Sequence, residues 1–198
     1  MDKQDFVQRF QYQSLEPSTH RFKFPRAVKE SAVLIPLCQT TPDSNELSIV
    51  LTKRASHLKH HPGQVSFPGG KVEESDQSKV DTALREAEEE IGLARQQINV
   101  IGQLRDYHTI TGFNITPIIG LVEGAMALNI DHNEVAEVFT VPLKHFIDGK
   151  NHTKLATYHR GFKHFVHFMP YQKHQIWGAT AAIIADLVAH LSPEPAGV

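Results

Sequence analysis

A mixed α/β (α+β) fold, with a β-sheet held between helices, is the class that this 198-residue sequence predicts. Three observations point to it. Short aliphatic and β-branched runs recur with turn residues between them. One amphipathic helical pattern interrupts these runs near the middle of the chain, over residues 76–91. A second, Ala-rich helical pattern closes the chain, over residues 176–191.

The elements follow in order. Residues 1–24 are polar with scattered aromatics, and the helical spacing of Phe6, Val7 and Phe10 predicts a short helix. Residues 32–37 and 47–52 read as two strands joined by the turn residues Pro42, Asp43, Ser44 and Asn45. Residues 64–67 form a short extended piece before Pro68, and Gly69-Gly70 reads as a turn into the central helix. Residues 98–105, 115–121 and 136–141 are further strands. A short helix starts at Pro142, a residue suited to the first helical position. Residues 152–158 and 162–168 pair as a hairpin around Arg160-Gly161. The final SPEPAGV reads as a short disordered tail. One domain over residues 1–198 is expected, with its core at about 30–191 and extensions at both ends.

Composition narrows the function classes. Hydrophobic residues make up 40% and charged residues 21%, which is ordinary for a soluble globular chain. The formal net charge is −2, so bulk electrostatics gives no case for nucleic acid or an anionic membrane as partner. Cys38 is the single cysteine, which excludes a disulfide framework or a zinc-thiolate site within one chain. It sits in a strand-like run and is expected to be a buried, inert thiol. No run reaches the ~20 apolar residues of a membrane span. The N-terminus lacks the basic-then-apolar order of a secretory signal, so a cytoplasmic location is expected.

The central helix carries the chemistry. At about 100° per residue, Val80, Ala83, Leu84, Ala87 and Ile91 share one apolar stripe. Glu86, Glu89 and Glu90 fall within an arc of roughly 100°, read as the opposite, open face. Glu88 and Asp81 point elsewhere. Ser75 or Asp76 could cap the start, and Gly92 suits the end. Like charges this close repel, and a divalent cation would relieve the repulsion. Oxygen-only ligands suit Mg²⁺ or Mn²⁺. A solvated acidic helix face would leave the same pattern, and the glutamates alone leave both readings open.

The flanking residues add a resemblance. Gly70, then Arg85-Glu86, Ala87, Glu88, Glu89-Glu90, Ile91, Gly92 and Leu93 resemble the signature of the Nudix hydrolases, which cleave a nucleoside diphosphate linked to another group. The signature places five residues between Gly and Glu, then seven before Arg-Glu. Here Gly70 is followed by five residues and Asp76, with eight residues before Arg85. The stretch from Leu51 to Gly70 also resembles a motif found upstream of this box in the coenzyme A pyrophosphatase branch, with Arg54, Gly63, Gln64, Phe67 and Pro68 in register. Lys59 stands where Arg is usual, which keeps the charge and loses the bidentate fork. That branch tends to show the extended, Asp-containing entrance. The run from Ile176 to Ala181 resembles the start of its closing helix.

The resemblance implies an α/β/α sandwich around a mixed sheet. It also implies metal-dependent hydrolysis of coenzyme A, or a derivative of it, to phosphopantetheine and adenosine 3′,5′-bisphosphate. Glu86, Glu89 and Glu90 would hold Mg²⁺ or Mn²⁺, and Arg85 can orient Glu89 at i, i+4. Glu89 is the first candidate for general base, with Glu134 and Glu137 as later candidates. Arg54, Lys59, Gln64, Gly69 and Gly70 would meet the substrate. The cluster of His57, His60 and His61 invites a metal reading, but a hard cation prefers carboxylates. Alternative substrates are ADP-ribose, NADH and dinucleoside polyphosphates, and a catalytically silent nucleotide sensor is the alternative from another class. RNA decapping is a weaker third option, disfavoured by the near-neutral charge and by the lack of a clear basic-aromatic surface in the sequence. The expected partner is therefore a small nucleotide, with neither nucleic acid nor membrane, and the oligomeric state is left open.

Overall fold

β1 (Lys29–Gln39) is the strand on which the rest is assembled. A computed structural model describes residues 1–12, 29–39, 41, 44–159 and 162–192. Pro42, Asp43, the Arg160-Gly161 turn, residues 13–28 and the tail after Ser192 lie outside the described residues. Along one edge β1 runs parallel to β7 (Phe113–Val122). Along the other edge it pairs antiparallel, first with β4 (Gly69–Lys71) through Ser31–Val33 and then with β2 (Leu47–Arg54) through Leu37–Gln39.

β2 continues outward to β3 (Val65–Ser66) and β8 (Val135–Pro142), while β7 carries β5 (Ile98–Gln103) and β6 (Tyr107–His108). The outcome is an eight-stranded mixed sheet. The near-continuous apolar run of β1 is what a strand covered on both faces requires.

Successive residues of a strand point to opposite faces, and the two faces carry different helices. Ile35, Leu37, Ile49, Leu51, Ile119 and Leu121 pack against α1 (Lys3–Tyr12) and α4 (Gly178–Leu191), through Phe6, Phe10, Ile183, Ile184 and Leu187. Ala32, Leu34, Val50 and Ile118 pack on the other side against Ala83, Ala87 and Ile91 of α2 (Lys79–Ile91). The sheet between helices is the predicted architecture. Cys38 is buried and free. Among the described residues no helix is long and apolar enough to cross a membrane.

Several boundaries move for identifiable reasons. Gly69-Gly70 is a strand rather than a turn, because β4 is drawn against β1. A Cβ at Gly69 would stand 2.5 Å from the Ala32 carbonyl oxygen. α2 begins at Lys79, three residues late, and its cap is Ser78, whose hydroxyl accepts the Asp81 amide at 3.1 Å. Neither Ser75 nor Asp76 caps it, since the Asp76 carboxylate is engaged elsewhere. Gly92 ends the helix in the left-handed region at φ 69°, as its position suggested. Pro142 ends β8 and precedes α3 (Leu143–Ile147) rather than opening it. α4 starts at Gly178 because the Ile176 carbonyl is taken by the Met169 amide at 2.8 Å. β9 (Thr153–His159) and β10 (Phe162–Phe168) form the expected hairpin.

Candidate functional site

The acidic helix lies directly on β4, and glycine makes that approach possible. A Cβ on Gly70 would come within 2.1 Å of Glu86 Oε1. The Glu86 carboxylate therefore rests against bare backbone. Burial raises its pKa, and the Arg85 guanidinium opposes that rise.

Arg85 is the organising group. Its Nε and Nη2 donate to Asp76 Oδ1 and Oδ2 at 2.9 and 3.0 Å, a bidentate fork. Nη1 donates to Glu86 Oε1 at 3.0 Å and to Glu89 Oε2 at 2.9 Å, and Nη2 also reaches the Lys71 carbonyl at 3.1 Å. Asp76 is itself fixed. It accepts from the Glu73 amide at 2.9 Å and the Thr82 hydroxyl at 2.8 Å. The Arg85 guanidinium, more than any other group, holds the Asp76 carboxyl well below the usual carboxylate range.

Glu90 is the exception to the open-face reading. It is buried, only 4% exposed. On the helical wheel it lies only about 20° from Ala83, at the margin of the apolar stripe. Its nearest cation is Arg54 at the end of β2, with Nη1 3.9 Å from Oε1. Its Oε2 is buried with no hydrogen-bond partner. Burial pushes the Glu90 pKa up to about 8; the charges of Glu86 and Glu134 push the same way, while Arg54 and the Gly69 amide oppose.

Glu134 reaches this place through the loop before β8. The loop is pinned to the end of α2 by the Asp131 amide on the Glu90 carbonyl, at 3.0 Å. It is pinned to the end of β2 by the Ala55 amide on the Glu134 carbonyl, at 2.8 Å. The Glu134 side chain raises the pKa of both Glu86 and Glu90. Three carboxylates thus share a partly dry space with two guanidiniums, Arg54 beside Glu90 and Arg85, already forked to Asp76, beside Glu86. An orphaned carboxylate oxygen in a site with excess negative charge is what a divalent cation would satisfy. Among the described residues no three carboxylate or imidazole side chains stand gathered as a finished metal shell. Glu86 and Glu89 each lend an oxygen to Arg85 instead.

The NUDIX domain family model matches residues 28–165. The chain belongs to the Nudix family. It is 38% identical over 192 residues to the uncharacterized Nudix hydrolase NudL of Yersinia pestis (strain Pestoides F), covering 95% of this chain and 94% of that one. The same identity and coverage hold for the NudL of Yersinia pseudotuberculosis (strain IP32953). Among solved structures, the Nudix hydrolase RenU from M. smegmatis aligns with TM-score 0.50 at 21% identity, over 64% of this chain and 78% of that one. A MutT/nudix family protein from Enterococcus faecalis aligns with TM-score 0.50 at 17% identity, over 95% and 68%. The chain is a Nudix hydrolase, and enzymes of that family use divalent cations such as Mg²⁺ or Mn²⁺.

Within this Nudix site the residues singled out from sequence divide into two groups. Arg85, Glu86, Glu89, Glu90, Gly69, Gly70, Arg54 and Glu134 come together at one end of the sheet. Lys59 stands exposed on the loop between β2 and β3. Gln64 uses its side-chain oxygen on the His61 ring, 2.9 Å away. Glu137 is on the other face of the sheet. It sits opposite Lys53 in the β2–β8 ladder, and its Oε1 lies 3.0 Å from Lys173 Nζ and 3.5 Å from His174 Nε2. Asp76, the anchor of Arg85, has no helical periodicity to reveal it; its place before the box is the only sequence signal.

Proposed function

We propose that this Nudix hydrolase cleaves the pyrophosphate of coenzyme A or a coenzyme A derivative, giving phosphopantetheine and adenosine 3′,5′-bisphosphate. The observation that carries the metal-dependent part is the buried Glu90, whose Oε2 has no partner while Glu86 and Glu134 stand beside it. Glu86 and Glu90 would hold Mg²⁺ or Mn²⁺, with Glu89 joining when it leaves Arg85. The cation would neutralise the diphosphate so that water can approach phosphorus.

The side chains do the rest. Arg85, itself fixed by Asp76, holds Glu86 and Glu89 in orientation. Glu134 is better situated as general base than Glu89, whose Oε2 is occupied by Arg85 and whose side chain is 60% exposed. It would take the proton of the attacking water as the phosphoanhydride P–O bond breaks. Arg54, drawn toward Glu90, serves the diphosphate. Lys59, on its exposed loop, serves the 3′-phosphate.

The coenzyme A reading rests on the resemblance carried by the run from Leu51 to Gly70, in which Arg54 stands 3.9 Å from Glu90 of the box. The test is chromatography of products from coenzyme A, ADP-ribose, NADH and a dinucleoside polyphosphate, with the divalent cation omitted as control. Phosphopantetheine as the preferred product supports the reading. Faster cleavage of another diphosphate reassigns the substrate, and coenzyme A binding without turnover of any of them makes the chain a sensor. Lys59→Ala should raise KM for coenzyme A and leave KM for its 3′-dephospho form unchanged.

A further inference from the structure

The formal charge of the whole chain is −2, yet the charges are segregated along the sequence. Between Asp148 and Asp186 there is no carboxylate, while five Lys or Arg and five His occur. The structure raises much of this segment into the β9–β10 ribbon, which is separate from the eight-stranded sheet. A two-stranded ribbon has little core of its own; β10 packs against α4, and its end is bridged to the start of that helix through Phe168 and Trp177.

One face of the ribbon is composed unlike an ordinary surface. The cross-strand register pairs Tyr158 with Lys163, Ala156 with Phe165 and Lys154 with His167, so these six residues share a side. Tyr158 is 71% and Phe165 47% exposed. Lys163 Nζ lies 5.4 Å from the centroid of the Phe165 ring. The two rings are diagonal neighbours, about 7–8 Å apart at Cα, with a lysine on either side. Asp186 on α4 is a carboxylate that Lys154 faces.

We propose that this face of the β9–β10 ribbon is a docking surface for single-stranded nucleic acid, with Tyr158 and Phe165 stacking on bases and Lys154 and Lys163 pairing with phosphates. Flat rings interleaved with cations are what a single strand engages, since every base has a π-face and every linkage a negative charge. A second copy of this chain would set the same lysines against each other. The exposed apolar groups on this face, Ala156 and the two rings, are few and interleaved with lysines, and no long aliphatic side chain among them would insert into a lipid layer. Net charge gave no case for nucleic acid; the proposal rests instead on where the charges sit.

The test uses the full-length protein and short 5′-fluorescein oligouridylate and oligoadenylate, read by fluorescence anisotropy at low salt. Binding is expected, and the Y158A/F165A double variant should weaken it by at least about tenfold, with diphosphate hydrolysis and the melting temperature unchanged. The K154A/K163A double variant should make the dependence of log K on log salt shallower by about 1.4, near 0.7 for each phosphate released. Absence of binding to either oligonucleotide, or binding that ignores removal of both rings, overturns the proposal. So does finding that the double ring variant abolishes self-association, or adsorption to phosphatidylserine vesicles, while the oligonucleotides do not bind the parent protein.

Discussion

Asp76 and Arg85 form a bidentate pair at the edge of the acidic cluster. Two parallel hydrogen bonds of 2.9 and 3.0 Å join them, and the Asp76 side chain is only 2% exposed. Asp76 lies three residues before the start of α2, so the fork ties the incoming loop to the helix that carries Glu86, Glu89 and Glu90. Asp76→Asn keeps the size, loses the charge and turns one acceptor into a donor facing the guanidinium. It should lower stability by about 2–3 kcal/mol and weaken divalent-cation affinity as well, because Arg85 would no longer be held against Glu86 and Glu89. Denaturant unfolding and metal titration of the variant check both. An unchanged unfolding midpoint would mean that the fork contributes nothing to the fold.

Gly70 offers a sharper separation of activity from stability. The added methyl of Gly70→Ala would land 2.1 Å from Glu86 Oε1, the mobile end of a side chain rather than backbone. The carboxylate can step aside by about 1 Å, and a displacement of that size at a reacting centre costs roughly 100-fold in rate. The expected variant therefore melts close to the parent and hydrolyses its diphosphate about 100-fold more slowly. A variant that keeps full kcat would show that the position of Glu86 against β4 does not matter to the reaction.

The sequence makes the helix, its apolar stripe and its carboxylate cluster legible because periodicity is local: Ala83, Ala87 and Ile91 are spaced to share a face whatever surrounds them. Other features depend on contacts distant in sequence. Glu90 looks open in isolation, but it sits at the edge of the stripe and is covered once Arg54, the Gly69 backbone and the loop carrying Glu134 close over it. Gly69-Gly70 reads as a turn until β1 arrives to pair with it. Glu134 and Glu137 are three residues apart in a loop-to-strand segment and look equivalent. Glu134 lies in the loop just before β8, while Glu137 lies within the strand opposite Lys53, and that difference separates them. The hairpin was legible, yet its charge was averaged away by the rest of the chain.

The buried state of Glu90 also sets a pH dependence. Its pKa is pushed up to about 8, above the ordinary carboxylate value expected when the chain is unfolded. Between those two values the folded protein holds a proton that the unfolded chain has released, so metal-free stability falls as pH rises through that window and levels off above about 8. Glu86, also raised by burial, adds in the same direction. The metal-free melting temperature should drop between about pH 5 and 8. Glu90→Gln should flatten much of that slope, and saturating Mg²⁺ should do so in the parent protein. Equal slopes in parent and variant would mean that Glu90 titrates as an ordinary exposed carboxylate.

Glu134 and Glu137 allow the general base to be tested with an internal control. The loop carrying Glu134 is held beside Glu86 and Glu90 by hydrogen bonds from the Ala55 amide to the Glu134 carbonyl and from the Asp131 amide to the Glu90 carbonyl, while Glu137 is engaged by Lys173 and His174 on the opposite face. Glu134→Gln should lower kcat by about 100- to 10,000-fold, the usual contribution of a positioned base, with cation affinity largely kept, since Glu86 and Glu90 remain. Glu137→Gln releases a surface ion pair of the kind that contributes at most about 1 kcal/mol and should leave kcat as it was. Steady-state kinetics with saturating Mg²⁺, alongside metal titration of each variant, separates the two. If Glu134→Gln turns over at the parent rate, proton abstraction belongs to another group, and Glu89, once released from Arg85, is the next to replace.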